Sequence, residues 1–395
     1  MSTRQQNPFK PGAGRVPPEL AGRSALVREF SEMLYSMRES GEGDRPWILS
    51  GLRGVGKTVL LNQFGREAEE LKIMFVKVEA SSERSLATSL AKELHIALRR
   101  VTSLTERTHE AWALALATFR SFQLRVDPTG NYSFGFDVQP RGGAADSGDL
   151  AVDLAELLHS IGESAREANT ALLVGVDELQ EAAAADLKSL NTALHSLGQS
   201  SWPVPVLFVG AGLPSLPTVL ADATSYAERL FDYRQLGLLD ESATIDALVN
   251  PARAQSVEWD VLALQKTVEA TGGYPYFIQA CGKHVWTVRA QNNISLDDAV
   301  TGVERAREEV DQGLYQSRWD RVTPAQRAFM TAMAQDADSF SLIGDLVERL
   351  RKARTSDLSV VRRELIRSGH IYAPDRGFVA FTVPGMADFI HRHRE

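Results

Sequence analysis

GLRGVGKTVLLNQF, residues Gly51 to Phe64, decides how the rest of the chain is read. A glycine, four residues, then Gly56, Lys57 and Thr58 fit the spacing of a phosphate-binding loop. Before it, Trp47, Ile48 and Leu49 form a short apolar run suited to a buried strand; after it, Val59, Leu60, Leu61 and Phe64 fit one helix face. Gly51, Gly54 and Gly56 let backbone N–H groups turn inward around an anion, and a helix N-terminus adds partial positive charge. Lys57 would reach the β- and γ-phosphates, and the Thr58 hydroxyl would ligate Mg²⁺. The competing reading is a glycine-rich turn with an incidental lysine.

The 395 residues leave room for two or three domains, each with its own core. With 44% apolar and 24% charged residues, the chain has the balance of a soluble globular protein. A net charge of −8 means that nucleic-acid binding would have to come from a local patch. Cys281 is the single cysteine, which excludes an intrachain disulfide and suits a cytoplasmic setting. No apolar run approaches the ~20 residues of a membrane span. The opening MSTRQQNPFKPGAGRVPP lacks an apolar signal core and reads as an irregular, proline-broken arm over residues 1–18.

Apolar runs at Trp47–Leu49, Ile73–Ala80, ALLVGVD, Val204–Gly212 and Phe231–Leu236 alternate with helical patterns. This predicts a three-layer α/β fold with a parallel sheet over residues 19–239. FQLRV and YSFGFDV alternate around DPTGN, and predict a hairpin-and-loop insertion over about 122–147. Residues 240–318 are helical in pattern and form an expected lid. Residues 319–395 read as short helices followed by a YAPDRGFVAFTV hairpin, with Ser356 as a candidate N-cap.

Asp177 and Glu178 close the apolar run ALLVGV, at the strand end where α/β sheets place ligands. An ATPase needs one carboxylate for hydrated Mg²⁺ and another to orient or deprotonate the attacking water. Asp177 fits the first role and Glu178 the second, although two acids after an apolar run also begin ordinary helices. Arg229, just before the fifth strand, could project toward a neighbouring subunit's γ-phosphate, or could equally be a surface arginine paired with Glu228. TGGYP puts Gly272, Gly273 and Pro275 at the turn into a helix.

Together these residues resemble the AAA+ ATPases, in the branch joining origin-recognition-type initiators, archaeal-type ATPases and STAND signalling ATPases. GLRGVGKT and LLVGVDELQ match Walker A and Walker B, and PPELAGRSALVREF resembles the segment preceding the core. YAERLF is similar to the arginine-finger box, TGGYP to the Gly-x-Pro motif of the lid, and the C-terminus to a winged-helix domain. The resemblance implies ATP contacts from Gly51, Gly54, Val55, Gly56, Lys57, Thr58 and Val59, with Arg23 near the adenine and Pro275 touching the nucleotide from the lid. It implies catalysis by Lys57, Glu178 and Arg229, with Mg²⁺ held by Thr58 and Asp177. The strand VLFVGAGLP ends in glycines where many relatives carry a polar sensor, and the lid motif lacks a second-sensor arginine. Both departures imply slow turnover or switch behaviour.

Residues 318–395 carry a local charge of about +3 within a chain of −8. Arg351, Lys352, Arg362 and Arg363 are the candidates for phosphate contact with duplex DNA. A protein partner, or a further copy of the chain in a homo-oligomer, is the alternative occupant of the winged helix. The expected function is thus an ATP- and Mg²⁺-dependent conformational switch. It is either DNA-associated or a STAND-like regulator directed at protein.

Overall fold

A computed structural model describes residues 6–12, 14–102, 112–126, 142–337 and 340–393. Five parallel strands form one sheet in the order β2-β3-β4-β1-β5: β1 Trp47–Gly51, β2 Met74–Glu79, β3 Leu172–Asp177, β4 Val206–Gly212 and β5 Asp232–Leu236. β1 lies between β4 and the edge strand β5, so the loop that follows it opens at the carboxyl edge of the sheet, beside the ends of β3 and β4. β3 and β4 are buried along most of their length, as expected for strands covered on both faces.

Alternation along β1 separates two cores. Trp47 and Leu49 face helices α1 (Ser24–Ser40) and α2 (Lys57–Glu70), packing with Phe30, Leu34 and Phe64. Phe30 and Phe64 stack with ring centroids 3.8 Å apart. Ile48 faces the other layer, built from the helices at 86–102, 113–126, 150–167, 184–198 and 216–223. Each fully buried Phe or Leu there contributes about 1.5–3 kcal/mol relative to exposure. The expected three-layer arrangement is present.

The expected hairpin at 122–147 is corrected in its first part. Phe122–Val126 is the last turn of the helix Ala113–Val126. Three apolar residues in FQLRV alternate, but Trp112, Ala115, Leu116, Phe119 and Phe122 are buried at helical spacing, and that longer pattern prevails. Residues 127–141 of the expected insertion lie outside the described residues.

Four helices follow the sheet: Glu241–Arg253, Val261–Thr271, Pro275–Val288 and Leu296–Val310. Asp240 and Asp260 cap the first two, accepting from Ala243 N and from Leu262 N and Ala263 N. Ser295 and Asp298 form a capping box on the fourth. A two-residue parallel pair, β6 Glu258–Trp259 with β7 Asn293–Ile294, interrupts the helical pattern.

The C-terminal region contains helices Pro324–Met333, Ile343–Arg349, Ser359–Arg367 and Met386–Arg392 around a three-stranded antiparallel sheet. Its strands are β8 Ser341–Leu342, β9 Ile371–Tyr372 and β10 Phe378–Phe381, with β10 in the middle. Its core is continuous with Cys281, Val303 and Val310 of the preceding helices. Ser356 does not act as the expected N-cap. It lies inside a 3-10 turn, and Asp357 accepts from Ala353 N and Arg354 N instead. No helix among the described residues is long and apolar enough to cross a membrane.

Candidate nucleotide-binding site

The loop between β1 and α2 folds as its glycines require. Gly54 and Gly56 take φ of 78° and 99°, in the left-handed region that other residues avoid. Gly54 has a second reason to be glycine: a Cβ there would lie 2.1 Å from the Tyr274 hydroxyl oxygen. Gly56 is the N-cap of α2, so the first N–H groups of that helix open onto the loop.

Lys57 is 6% exposed, and its Nζ donates to Gly51 O at 2.9 Å and Leu52 O at 2.8 Å. Burial pulls its ammonium down to about 8, against a smaller upward pull from Glu178. Asp177, 5% exposed, ends β3; Lys77 Nζ stands 3.5 Å from its Oδ2 and also donates to Asn62 Oδ1 at 2.7 Å. Glu178 follows at φ 48°. Its Oε1 accepts from Arg53 Nη1 at 3.3 Å and its Oε2 from Gln180 Nε2 at 2.6 Å. Gln180 Oε1 in turn accepts from Leu213 N at 3.0 Å, so this amide ties Glu178 to the end of β4. A Cβ at Gly212 would come within 2.4 Å of that Oε1, which accounts for the glycine where a polar side chain was looked for.

A cavity of about 410 Å³ opens beside the loop. Arg53 to Leu60 line one wall, so Gly54, Val55, Gly56, Lys57, Thr58 and Val59 are brought together there with Glu178, Arg23 and Pro275. Gly51 lies behind the loop, with its carbonyl on Lys57. Pro275 opens the helix Pro275–Val288, where its missing N–H costs nothing. Arg23 donates to Gly237 O, and burial lowers the pKa of its guanidinium. Arg229 is not in this group. It is exposed on the short helix Ala227–Leu230 before β5, at the amino edge of the sheet.

Several lining residues were not singled out from sequence. Lys10, Pro11, Gly12, Gly14, Arg15 and Pro17 of the N-terminal arm line the cavity. Phe9 anchors the arm against Gly282 and Trp286, and Asn62 Nδ2 donates to Gly14 O at 3.2 Å. Tyr274 donates from its hydroxyl to Arg53 O at 3.1 Å, and burial pushes its phenol well up. Arg318 stands close by, with its pKa lowered by burial first and by Arg53 second. Arg53 N donates to Thr382 O at 2.9 Å, so the C-terminal region touches the loop directly. A proline-broken arm and isolated arginines carry no periodicity, so only the spacing around TGGYP could have pointed to any of them.

Residues 19–209 match the family model described as AAA ATPase domain. Over these residues the chain is similar to an AAA ATPase domain. The chain as a whole is similar in fold to a Walker-type ATPase of Pyrococcus abyssi, with 16% identity, a TM-score of 0.60 and coverage of 94% of this chain and 96% of that one. It is also similar to the ORC2 protein of Aeropyrum pernix in its ADPNP-ADP complexes, with 15% identity, a TM-score of 0.55 and coverage of 97% and 98%. At such identities the likeness is one of fold, a five-stranded parallel sheet with a phosphate loop and flanking helices. Residues 312–390 match a second model, described as a domain of unknown function. No curated protein matches the chain.

Proposed function

We infer that the protein is an ATP- and Mg²⁺-dependent switch of slow turnover, in which nucleotide state sets the position of a C-terminal winged-helix domain. The observation that carries this reading is the composition of the cavity wall. The phosphate loop, the arm and the helix beginning at Pro275 all line it, while Thr382 of the C-terminal region holds Arg53 of the loop. A ligand that moves the loop is therefore felt by every part of the chain.

The residues suit Mg²⁺-nucleotide. Thr58 and Asp177 offer the hard oxygens that Mg²⁺ takes, and the bound ion would neutralise charge on the phosphates. Lys57 exchanges the loop carbonyls for phosphate oxygens. Glu178 orients a water and accepts its proton. Arg229, remote from its own cavity, serves the nucleotide of a neighbouring copy. We divide the chain into an arm (1–18), core (19–239), lid (240–318) and winged helix (319–395).

Duplex DNA is the partner the basic excess supports. Arg351, Lys352 and Arg363 are exposed and Arg362 is half-buried, on the helix Ser359–Arg367 and the loop before it. Guanidinium and ammonium groups there would neutralise phosphates, each contact adding about 0.9 to the slope of log affinity against log salt. The second reading, a protein-directed switch, is favoured by the Thr382–Arg53 contact, since a winged helix that covers the nucleotide site needs no DNA. ATPase rate and gel retardation of duplex DNA at low salt, with ATP and with ADP, decide between them. The DNA reading expects retardation that differs between nucleotides and weakens when Arg362 and Arg363 become Glu, with basal ATPase unchanged. No retardation in either state leaves the protein-directed switch.

A further inference from the structure

Arg53 is held at its backbone N–H, its carbonyl and its guanidinium Nη1. Its N–H donates to Thr382 O at 2.9 Å, its carbonyl accepts from the Tyr274 hydroxyl at 3.1 Å, and its Nη1 lies 3.3 Å from Glu178 Oε1. One loop residue thus joins the candidate base to the helix at Pro275 and to the C-terminal region. The far contact is a built one. Thr382 is fully buried, and its hydroxyl donates to Gly369 O at 2.7 Å and to His370 O at 3.1 Å. Arg318 Nη1 donates to the same Gly369 O at 3.2 Å. Gly369 takes φ 66°, and a Cβ on it would lie 2.6 Å from an Arg53 guanidinium nitrogen. The C-terminal turn therefore approaches Arg53 on both its backbone and its side chain.

Glu178 is consequently occupied on both oxygens, Oε1 by Arg53 and Oε2 by Gln180. Each carboxylate oxygen keeps a second lone pair, but two donors on opposite oxygens fix the direction in which the carboxylate points. Turning Glu178 toward a water in line with a phosphate would have to break one of these contacts. Gln180 belongs to the core and is tied to Leu213 N, so it stays with the core whatever the C-terminal region does. Arg53 is the donor whose position depends on the rest of the chain.

We propose that Arg53 is a positioning residue that restrains Glu178 while the C-terminal region is docked on the phosphate loop, and frees it when that region moves away. The proposal rests on the reading of Glu178 as the base. Hydrolysis is then governed by the contact made by Gly369 and Thr382, and any partner that draws the C-terminal region off the loop accelerates turnover without touching nucleotide.

The test is steady-state ATPase kinetics of the full-length protein and four variants. Arg53→Ala should raise kcat about three- to tenfold and leave KM within about twofold, because the side chain acts on the base and not on substrate binding. Arg53→Lys keeps the positive charge and should restore part of the restraint. Thr382→Val removes the hydroxyl that fixes the turn and should raise kcat by less. The double variant Arg53→Ala/Thr382→Val should go no further than Arg53→Ala alone, since both act through one contact. A fall in kcat, or a KM rise beyond about fivefold, makes Arg53 a phosphate ligand and overturns the proposal. Unchanged kcat in Arg53→Ala overturns it as well. If Arg53→Ala does not fold, Arg53→Gln is read by the same criteria. Adding Glu178→Gln to Arg53→Ala separates the two layers of argument. If the double variant still hydrolyses as fast as Arg53→Ala, the assignment of Glu178 fails; if it is inactive and Arg53→Ala shows no gain, only the restraint fails.

Discussion

At the carboxyl edge of the sheet, Lys57, Glu178 and the cavity lie within reach of one another. At the amino edge, about 17 Å away along five-residue strands, Arg229 stands exposed beside a different cavity of about 630 Å³ that Arg45, His195 and Tyr226 also line. The first edge is built inward. Its charged groups are buried and each is held by a neighbour, as Lys57 is by two carbonyls and Asp177 is by Lys77. The second is built outward, with its arginine free to meet something beyond the chain. An arginine that stabilises transition-state charge must touch the γ-phosphate, so one molecule cannot use both edges on one nucleotide. Under the reading of Arg229 proposed above, full activity would need the amino edge of one copy against the carboxyl edge of another.

The comparison breaks most visibly at Arg229. Arg229→Ala should lower turnover by about 10³-fold while sparing ATP affinity, the scale expected for a transition-state arginine. Mixing it with Lys57→Ala protein should restore part of the activity, since each supplies the edge the other lacks. Specific activity that is independent of protein concentration, with no rescue on mixing, would reduce Arg229 to a surface residue.

Within the carboxyl edge the two acids should separate. Glu178→Gln keeps shape and loses the base, so hydrolysis should fall by about 10²–10³-fold with ATP still bound. Asp177→Asn should chiefly weaken the Mg²⁺ dependence of binding, measured by titrating Mg²⁺ at fixed nucleotide. Equal behaviour of the two variants would remove the division of roles.

The carboxyl edge was the more legible of the two in the sequence, and for a chemical reason. Phosphate binding demands backbone N–H groups, a lysine and a hydroxyl within a few residues, so the pattern is local and compact. The groups that complete the site are not local. Arg53 meets Glu178, Tyr274 and Thr382 from distant parts of the chain, and Phe9 finds Gly282 in the helix Pro275–Val288. No periodicity announces such pairs. Phe122–Val126 misled for the opposite reason. Five residues can alternate by chance within a helix, and the burial of Trp112, Leu116 and Phe119 upstream had the deciding weight. Arg229 could be noticed from its place before β5, but its use depends on a neighbour that one chain's sequence does not describe.

A smaller effect sharpens the inward character of the first edge. With Lys57 near 8 through burial, its ammonium is partly deprotonated above that pH in the nucleotide-free protein. Phosphate oxygens favour the charged form, so binding raises the pKa and draws in a proton. Calorimetry at pH 8.5 in two buffers of different ionisation enthalpy should show uptake of a fraction of one proton, falling away below about pH 7. Lys57→Arg, charged throughout, should show none of it.

The smallest effect concerns the backbone at Glu178, whose φ of 48° is one that side chains with a Cβ adopt at a cost of about 1 kcal/mol. Ala and Gly at this position would both lose the contacts to Arg53 and Gln180. They should nonetheless fall in reversed order of stability, with Glu178→Gly above Glu178→Ala by about 0.5–1 kcal/mol in denaturant melts. Selection for activity and selection for stability therefore pull position 178 in opposite directions. A descendant of this protein that no longer hydrolysed ATP would gain by drifting to glycine or asparagine there. The residue at that one position in a related sequence would then report whether hydrolysis is still being kept.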